Sequence, residues 1–357
     1  MPLRLQEATI AARLYALRYP QRRRYGSRMF SRLANRFRTT GSVIRPLYVI
    51  NVLAYVEFNP QLSVLLAMEK TIFKRRQVDA KKTEEMWKNV KDFQVRDTDV
   101  FLMGFAKSGT TWAQELIWLI VNDLDYEGAK AFVDERVPVL ELSAAPFGDS
   151  NRVEQLECHW NSIEFAKKMK DPRCIKTHLK WSLLPKEILE ETKSPKIIYI
   201  ARNPKDVCLS TYSYMKNVLT TIDCTIDEYS KCFLKGNENR LDHYWEHVLY
   251  FWERRSRPNV LFIKYEDMKE DLVKVIKNVS VFLEKTLTDE QILGLVKWLD
   301  FETMKDNKAV NHDSLYNKSG FMRAGIVGGH KKEMPAEILR EFDSWIEENL
   351  KNTDYVL

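Results

Sequence analysis

Short apolar runs alternate with longer amphipathic segments from residue 98 onwards, and this alternation is the strongest constraint on the fold. The runs DVFLMGF (99–105), RCIK (173–176), KIIYIA (196–201) and NVLFIKY (259–265) are continuously apolar, which predicts strands buried on both faces. Apolar residues at helical spacing occupy five longer segments, 110–124, 204–217, 241–256, 269–285 and 335–351. Strands that alternate with crossover helices predict an α/β fold, a single domain with a central, mainly parallel sheet flanked by helices.

The charge of the chain is concentrated at its N-terminus. Residues 1–50 contain eleven Arg, no Lys and one acid, Glu7, whereas the rest of the chain holds 45 basic and 49 acidic residues. The body of the protein is therefore mildly acidic, and its composition gives no reason to expect nucleic-acid binding.

Residues 1–67 are predicted to be an N-terminal extension, with the domain proper at 68–357. The Arg-rich, nearly acid-free tract is typical of a mitochondrial transit peptide. The apolar stretch 47–67 could instead be a signal anchor, but Glu57 near its centre argues against it, because a central carboxylate costs roughly 2 to 3 kcal/mol of insertion free energy. A disordered extension is the third interpretation, and the sequence leaves all three open.

Five cysteines are scattered through the chain, without a Cys-x-x-Cys pair and without a nearby His at zinc spacing. This pattern predicts neither a metal site nor a disulfide framework, and it favours a reducing, intracellular compartment. We therefore expect a cytoplasmic protein, with a mitochondrial location as the alternative if the N-terminus is a transit peptide.

The segment GFAKSGTTW (104–112) joins a predicted strand to a predicted helix. Its backbone N–H groups, the helix N-terminus and the charge of Lys107 together predict an anion site. Because Lys107 precedes Gly109, the loop is not the G-x-x-x-x-G-K-[ST] loop of nucleoside triphosphatases, and it is short enough to surround one phosphate-like group. A tight turn with a Ser or Thr cap is the alternative interpretation.

Three further motifs follow. IKTHLK places Lys176 and His178 two residues apart at a strand end, so both project to one side. ARNPKDVCLSTY puts Arg202 at another strand end, with Asn203 as helix cap and Ser210 two turns on, which predicts a second phosphate site. FMRAGIVGGHKK (321–332) is a Gly-rich loop. Taken singly, a surface His and a surface Arg ion pair remain the alternatives.

In their order and spacing, KSGTTW, KTHL, ARNPKDVCLSTY, VLFIKYEDMKEDL and FMRAG resemble the signatures of the cytosolic sulfotransferase family, and WLIVNDLDYEGAK resembles its insect members. The resemblance covers roughly residues 68–350. It implies transfer of a sulfuryl group from 3′-phosphoadenosine-5′-phosphosulfate (PAPS) to an alcohol, phenol or amine, without a metal.

The resemblance also implies a role for each matching residue. The 5′-phosphosulfate would be held by Lys107, Ser108, Gly109, Thr110 and Thr111. The adenine would be lined by Trp112, Tyr265 and Phe301. The 3′-phosphate would be held by Arg202, Ser210, Arg323 and Gly325. The catalytic residues would be His178 as base, with Lys107 and Lys176 beside the transferred group.

The chain departs from the family pattern at four places. Ala106 replaces a Pro, Leu299 replaces a Thr of the adenine pocket, and Ala324 replaces a Lys between Arg323 and Gly325. The last change removes one cation near the 3′-phosphate, so weaker PAPS affinity is expected. The usual dimer-contact stretch is altered at 328–336, which leaves the homodimer question open.

The acceptor pocket is expected between segments 138–162, 211–222 and 306–321. Its predicted apolar lining is Phe147, Trp160, Tyr212 and Tyr214. Such a lining favours a small hydrophobic alcohol or phenol over a sugar or peptide. Two alternatives remain open, a retinoid-type dehydration through a sulfated intermediate and a non-catalytic carrier of hydrophobic ligands, whereas the missing G-K-[ST] counts against a kinase or nucleoside triphosphatase.

Overall fold

The computed structural model describes residues 80–144, 156–236, 243–312 and 321–357. Four strands form one sheet, β1 (Val100–Met103), β2 (Cys174–Thr177), β3 (Lys196–Ala201) and β4 (Val260–Lys264). Their order in the sheet is β2-β1-β3-β4, and every neighbouring pair is parallel. The predicted α/β class and all four predicted strands are confirmed.

Helices connect and cover the strands. In chain order they are α1 (Ala80–Lys91), α2 (Thr110–Val121), α3 (Val133–Arg136), α4 (Glu157–Trp160), α5 (Ser162–Lys168), α6 (Lys186–Leu189), α7 (Pro204–Ser213), α8 (Ile226–Leu234), α9 (Tyr244–Trp252), α10 (Tyr265–Glu270), α11 (Leu272–Phe282), α12 (Asp289–Trp298), α13 (Phe301–Asp306), α14 (His330–Glu333) and α15 (Ala336–Leu350). A π-helical segment, Tyr214–Val218, continues α7.

The sheet has a hydrophobic core on each face. Phe101 and Met103 of β1 belong to the core that contains residues of α7, α9 and α15. Val100 and Leu102 belong to the other core, which contains residues of α2, α11 and α12. Successive side chains of a strand point to opposite faces, so a strand covered on both faces is apolar at most positions. This explains why the strands appear in the sequence as continuous apolar runs.

Helix starts follow local side-chain chemistry. Asn203 caps α7 by accepting a hydrogen bond from the N–H of Lys205, and Pro204 occupies the first turn, as predicted. One continuous helix was predicted over 269–285, but the structure has two helices there, since α10 ends at Glu270 and α11 begins at Leu272. Asp271 interrupts it because its side chain accepts the N–H of Lys274 and so caps a new helix.

All four strands end at one edge of the sheet, and each is followed by a motif identified in the sequence. The loop 104–112 follows β1, His178 follows β2, Arg202 follows β3 and Tyr265 follows β4. Ligands of open parallel sheets bind at this edge, near the point where the strand order reverses.

The interpretations of residues 1–67 lie outside the described residues, and the domain boundary at residue 68 stays a prediction. Within the described part of the chain, no helix has the length and apolar character needed to cross a membrane.

Candidate active site

The loop after β1 is shaped to bind an anion. Lys107 and Gly109 have φ angles of 67° and 95°, so the loop makes two left-handed turns before α2 begins at Thr110. Left-handed residues within a turn direct successive N–H groups into one concavity, next to the positive end of the helix dipole. Gly109 is required sterically, because a Cβ at this position would lie 2.5 Å from Cδ2 of Tyr265.

Lys107 projects into the cavity in an unusual electrostatic environment. Its Nζ lies 4.3 Å from the ring centroid of Tyr214 and 4.4 Å from that of Phe321. Burial, helped by the positive charges of Lys176 and Arg202, lowers the pKa of Lys107 to about 7. An incoming phosphate or sulfate group would supply the negative charge that this ammonium needs to remain protonated.

Three hydrogen bonds hold His178, and one of them fixes its tautomer. Its Nδ1 lies 2.6 Å from the carbonyl oxygen of Gly104, which can only accept, so Nδ1 carries the proton and Nε2 presents a lone pair. Its backbone N–H donates to Glu141 Oε1 at 2.7 Å, and its carbonyl lies 3.2 Å from Nε2 of His247. Burial, together with the charge of Lys176, lowers the pKa of His178 to about 3. The imidazole is therefore neutral near pH 7.

Lys176 lies beside His178, and Gln114 of α2 fixes its position. The Nζ of Lys176 donates to Oε1 of Gln114 at 2.8 Å, and both side chains are buried. Burial lowers the pKa of Lys176 to about 8, against the opposing effect of Asp134 and Glu141. Lys176, Lys107 and His178 line the same cavity, so two amines with lowered pKa values and one neutral imidazole face a shared space.

A second group of cationic and small residues lies at the other end of the loop. Arg202 donates to the carbonyl oxygens of Lys107 at 3.3 Å and Ile326 at 3.0 Å, and its guanidinium lies 4.2 Å from the ring centroid of Tyr265. Gly325 has a φ of 61°, and a Cβ there would lie 2.2 Å from the ring of Phe301. The chain can approach the aromatic ring this closely only at a glycine.

Aromatic rings form the wall between these two groups. Trp112 donates from Nε1 to the carbonyl oxygen of Leu299 at 2.9 Å and meets Tyr265 edge to face at 5.6 Å. The acceptor in this hydrogen bond is the backbone carbonyl of residue 299. The bond from Trp112 is therefore retained although Leu299 stands where the family usually has Thr. The arrangement presents flat apolar surface suited to a nucleobase.

One cavity of about 320 Å³ brings the predicted site residues together. Those that line it are Lys107, Gly109, Thr110, Thr111, Trp112, Lys176, His178, Arg202, Ser210, Tyr265, Phe301, Arg323 and Gly325. Ser108, also in the loop, is fully buried.

Comparison with known proteins agrees with this geometry. Residues 97–354 match the sulfotransferase domain family. The chain belongs to the sulfotransferase family. It is 38% identical to the luciferin sulfotransferase of Photinus pyralis over 281 residues, covering 75% of each chain, and 33% identical to human sulfotransferase 1E1, covering 75% of this chain and 88% of that one. The family assignment makes the protein a PAPS-dependent sulfotransferase.

Solved sulfotransferase structures share the fold. A retinol dehydratase in complex with retinol and PAP superimposes with a TM-score of 0.73 at 30% identity, covering 84% of this chain and 97% of that one. Mouse sulfotransferase SULT7A1 complexed with PAP superimposes with a TM-score of 0.61 at 29% identity, covering 76% of this chain and 90% of that one. The resemblance to insect and vertebrate sulfotransferases is confirmed.

The residues of this sulfotransferase fit the donor, because buried polar atoms beside the loop lack partners. Oγ of Ser108 and Nε of Arg202 are buried and have no hydrogen-bond partner among the described residues. Buried polar groups of this kind cost free energy unless a ligand or water satisfies them. A donor with a phosphosulfate and a separate phosphate would provide acceptors at both places.

Several residues of the sulfotransferase site were missed or misplaced by the sequence prediction. Trp160 was predicted to line the acceptor pocket, but it is 56% exposed, and its neighbour His159 lines the cavity instead. Tyr212 packs on Tyr229 and donates to the carbonyl of Cys224, away from the cavity, whereas Tyr214 does line it. Phe147 lies outside the described residues.

A cluster of three buried polar residues at the cavity wall was not predicted from the sequence. Its members are Asp134, His159 and His312. His159 and His312 fall within segments expected to form the acceptor pocket, so a pocket location was foreseeable. Their contact with Asp134 was not, since the two histidines lie 25 and 178 residues from it in the chain.

Proposed function

We propose that this sulfotransferase transfers the sulfuryl group of PAPS to a hydroxyl of a small hydrophobic acceptor. One observation carries the proposal, namely that the neutral His178, with its Nε2 lone pair available, lines the same cavity as Lys107 and Lys176. A neutral imidazole beside two lysines that a bound anion keeps protonated is equipped to take a proton from an attacking hydroxyl while the charge that develops is stabilised.

Each side chain has a defined task in this mechanism. PAPS supplies the sulfuryl group and a phosphate leaving group when it is bound. His178 accepts the hydroxyl proton at Nε2 as the acceptor oxygen attacks sulfur. Lys107 neutralises the charge that grows on the phosphate oxygen, and Lys176, held by Gln114, stabilises the sulfuryl oxygens. Binding both reactants in one cavity removes roughly 7 kcal/mol or more of the entropic barrier when they are well aligned.

The remaining site residues are proposed to bind the donor. The backbone N–H groups of 107–111 and the hydroxyls of Ser108, Thr110 and Thr111 would hold the phosphosulfate. Arg202, Ser210, Arg323 and the chain at Gly325 would hold the 3′-phosphate, with Trp112, Tyr265 and Phe301 around the adenine. Arg323 is paired with Glu333 in the structure, so donor binding would have to compete for its guanidinium.

An acceptor screen with the full chain tests the proposal. The panel would contain simple phenols, a steroid, retinol and luciferin, the last because luciferin is named for a relative with 38% identity. We expect PAPS-dependent sulfation of at least one hydroxyl compound, and loss of that activity in His178→Ala. If no acceptor is sulfated while adenosine 3′,5′-bisphosphate binds, the hydroxyl assignment is wrong. If the bisphosphate produces no heat on titration, a carrier without donor binding is favoured.

A retinoid dehydration is a second candidate, favoured by the likeness to a retinol dehydratase structure at a TM-score of 0.73. The same screen separates the two reactions when products are analysed by mass. Sulfation adds a sulfuryl group to the retinoid, whereas dehydration through a sulfated intermediate removes the elements of water.

A further inference from the structure

A buried carboxylate between two imidazoles lies at the cavity wall and has no task in the mechanism above. Asp134 Oδ2 lies 2.9 Å from His159 Nε2, and His312 Nε2 lies 3.1 Å from the same oxygen. Asp134, His159 and His312 are 5%, 3% and 5% exposed, and all three line the cavity. We call these three residues the Asp134 cluster.

Two imidazoles hold the Asp134 carboxylate by hydrogen bonds. His312 has an acceptor beside each ring nitrogen, with Nδ1 at 2.7 Å from the carbonyl oxygen of Val310 and Nε2 at the Asp134 carboxylate. The buried carboxylate therefore has a hydrogen-bond partner in each of the two rings. Burial raises the pKa of Asp134, but the charge of His312 and the bonds from both imidazoles hold it below its usual range.

His159 is left with an unused acceptor. Its Nε2 is hydrogen-bonded to Asp134, and in the neutral ring that donates from Nε2 the Nδ1 presents a lone pair. This Nδ1 is buried and has no hydrogen-bond partner among the described residues. A buried polar atom without a partner is uncommon in native proteins and requires an explanation, for which a ligand is the simplest.

The Asp134 cluster lies close to the group-transfer site. The ring of Phe321 is 4.4 Å from the His312 ring centroid, and the Nζ of Lys107 lies 4.4 Å from the Phe321 ring centroid, so a single ring separates them. Asp134 also acts on Lys176, whose pKa it raises against the effect of burial. The surrounding cavity wall includes the apolar side chains of Val139 and Leu142.

We infer that the Asp134 cluster is a second binding point for the acceptor, where His159 Nδ1 accepts a hydrogen bond from a hydroxyl other than the one that is sulfated. This inference rests on the proposed function and names the acceptor class as apolar compounds with two hydroxyl groups. A neutral imidazole nitrogen next to the Asp134 carboxylate suits a ligand group that donates a hydrogen bond. A carboxylate on the ligand would instead be repelled by the Nδ1 lone pair and by the negative charge of Asp134. A ligand with a purely apolar end would leave Nδ1 without a partner.

Matched pairs of acceptors test the inference. The probes are 4-phenylphenol with 4,4′-dihydroxybiphenyl, and a series of 1-alkanols with the α,ω-diols of equal length. After a twofold statistical correction for the diols, we expect wild-type kcat/KM to favour a diol about tenfold or more at the length that spans the two points, as expected for one added hydrogen bond. His159→Phe should abolish this preference, which is taken as the ratio of kcat/KM for the diol to kcat/KM for the matched monohydroxy acceptor, so that a general loss of rate cancels.

A conservative variant separates recognition from structure. Asn presents a side-chain oxygen near the position of His Nδ1, so His159→Asn should retain part of the diol preference that His159→Phe loses. Absence of a diol preference at every length in the wild type, or an equal loss for both acceptor types in His159→Phe, overturns the inference. If either of these results is found while the monohydroxy acceptors are still sulfated, the proposed function stands.

A binding experiment tests the inference if the wild type sulfates neither member of a pair. Each acceptor of the pair is titrated into protein saturated with adenosine 3′,5′-bisphosphate, and equal affinities for the diol and the monohydroxy compound overturn the inference.

Discussion

The two ends of the cavity are constructed differently. The part of the cavity proposed to bind PAPS, the donor end, consists mainly of segments that directly follow β1, β3 and β4, together with the segment 321–326. Its shape depends on left-handed backbone at Lys107, Gly109 and Gly325. The part proposed to bind the acceptor, the acceptor end, consists of side chains from segments far apart in sequence, held by hydrogen bonds such as those of the Asp134 cluster. Backbone-based binding leaves a local motif in the sequence, whereas side-chain networks do not. The residues that bind the donor should therefore be easier to predict from sequence than those that bind the acceptor. Substitutions at the two ends should also affect different measured quantities.

His178→Ala should produce the largest effect, confined to catalysis. We expect kcat to fall about 10²- to 10⁴-fold, the range typical of a general base, because no other group would take the hydroxyl proton. Affinity for adenosine 3′,5′-bisphosphate, measured by calorimetry, should change less than about twofold, since His178 is not assigned a donor contact. A comparable loss of bisphosphate affinity would contradict the base assignment and weaken the separation of the two ends.

Lys107→Met should impair both turnover and donor binding. Loss of the positive charge should lower kcat about 10²- to 10³-fold and weaken bisphosphate binding about 10- to 100-fold, because Lys107 serves the phosphate in both states. Lys176→Met is the matched comparison. It should lower kcat but have little effect on bisphosphate affinity, because the bisphosphate lacks the sulfuryl group that Lys176 is proposed to contact. Equal affinity losses in the two variants would argue against this division.

The sequence located the loop after β1, and the reason is local. Lys107 through Trp112 form one turn and one helix start, and most of them line the cavity. Their contacts with the donor stay a prediction. The strands were predictable because burial on both faces forces a continuous apolar run. The break between α10 and α11 was not predicted because Asp271 in the sequence resembles an exposed acid within a helix. In the structure its side chain accepts the N–H of Lys274 and caps α11.

The acceptor end was predicted only by segment. In the short helix α4, Glu157–Trp160, the sequence suggested that the large aromatic would point inward, but the buried positions belong to Cys158 and His159. Four residues are too few for a helical period to reveal which face is buried. Local sequence preferences could not predict that Asp134 is buried, because the hydrogen-bond partners that stabilise the buried carboxylate come from distant segments.

Gly325→Ala should test how far the donor end depends on close backbone approach. The added Cβ would lie 2.2 Å from the Phe301 ring at a φ of 61°, so we expect bisphosphate affinity to fall about 5- to 100-fold. Gly328→Ala is the matched control, since its φ of 77° is equally unfavourable while the nearest atom to its Cβ is 3.7 Å away. Calorimetry on both variants should show the larger loss at Gly325. Equal losses would mean that backbone strain alone is responsible.

Donor binding should take up a proton above pH 7. The pKa of Lys107 in the free protein is about 7, so the amine is mostly neutral at pH 8, and a bound phosphate would raise that pKa and protonate it. Affinity for adenosine 3′,5′-bisphosphate should consequently decrease as the pH rises from 7 to 8.5. Titration at pH 8 in Tris and in HEPES, which differ in ionisation enthalpy, measures the proton uptake directly.

Lys107→Arg is the control for the proton measurement. Because Arg stays protonated throughout this range, the variant should bind the bisphosphate with less proton uptake than the wild type. Wild-type binding without proton uptake at pH 8 would show that Lys107 is already charged in the free protein.

Ala324→Lys should produce the smallest change and act on the donor end alone. Ala324 lines the cavity between Arg323 and Gly325, where the family usually has a cation, and Arg323 itself is paired with Glu333. A partly exposed Lys near a phosphate contributes about 0.5 to 1 kcal/mol, so we expect bisphosphate affinity to rise about two- to fivefold, with a steeper dependence on salt. Ala324→Met supplies a side chain of similar length without charge and should leave the affinity unchanged. The acceptor KM should stay constant in both variants, and a shift in that KM would mean that the two ends of the cavity are coupled through the 321–326 segment.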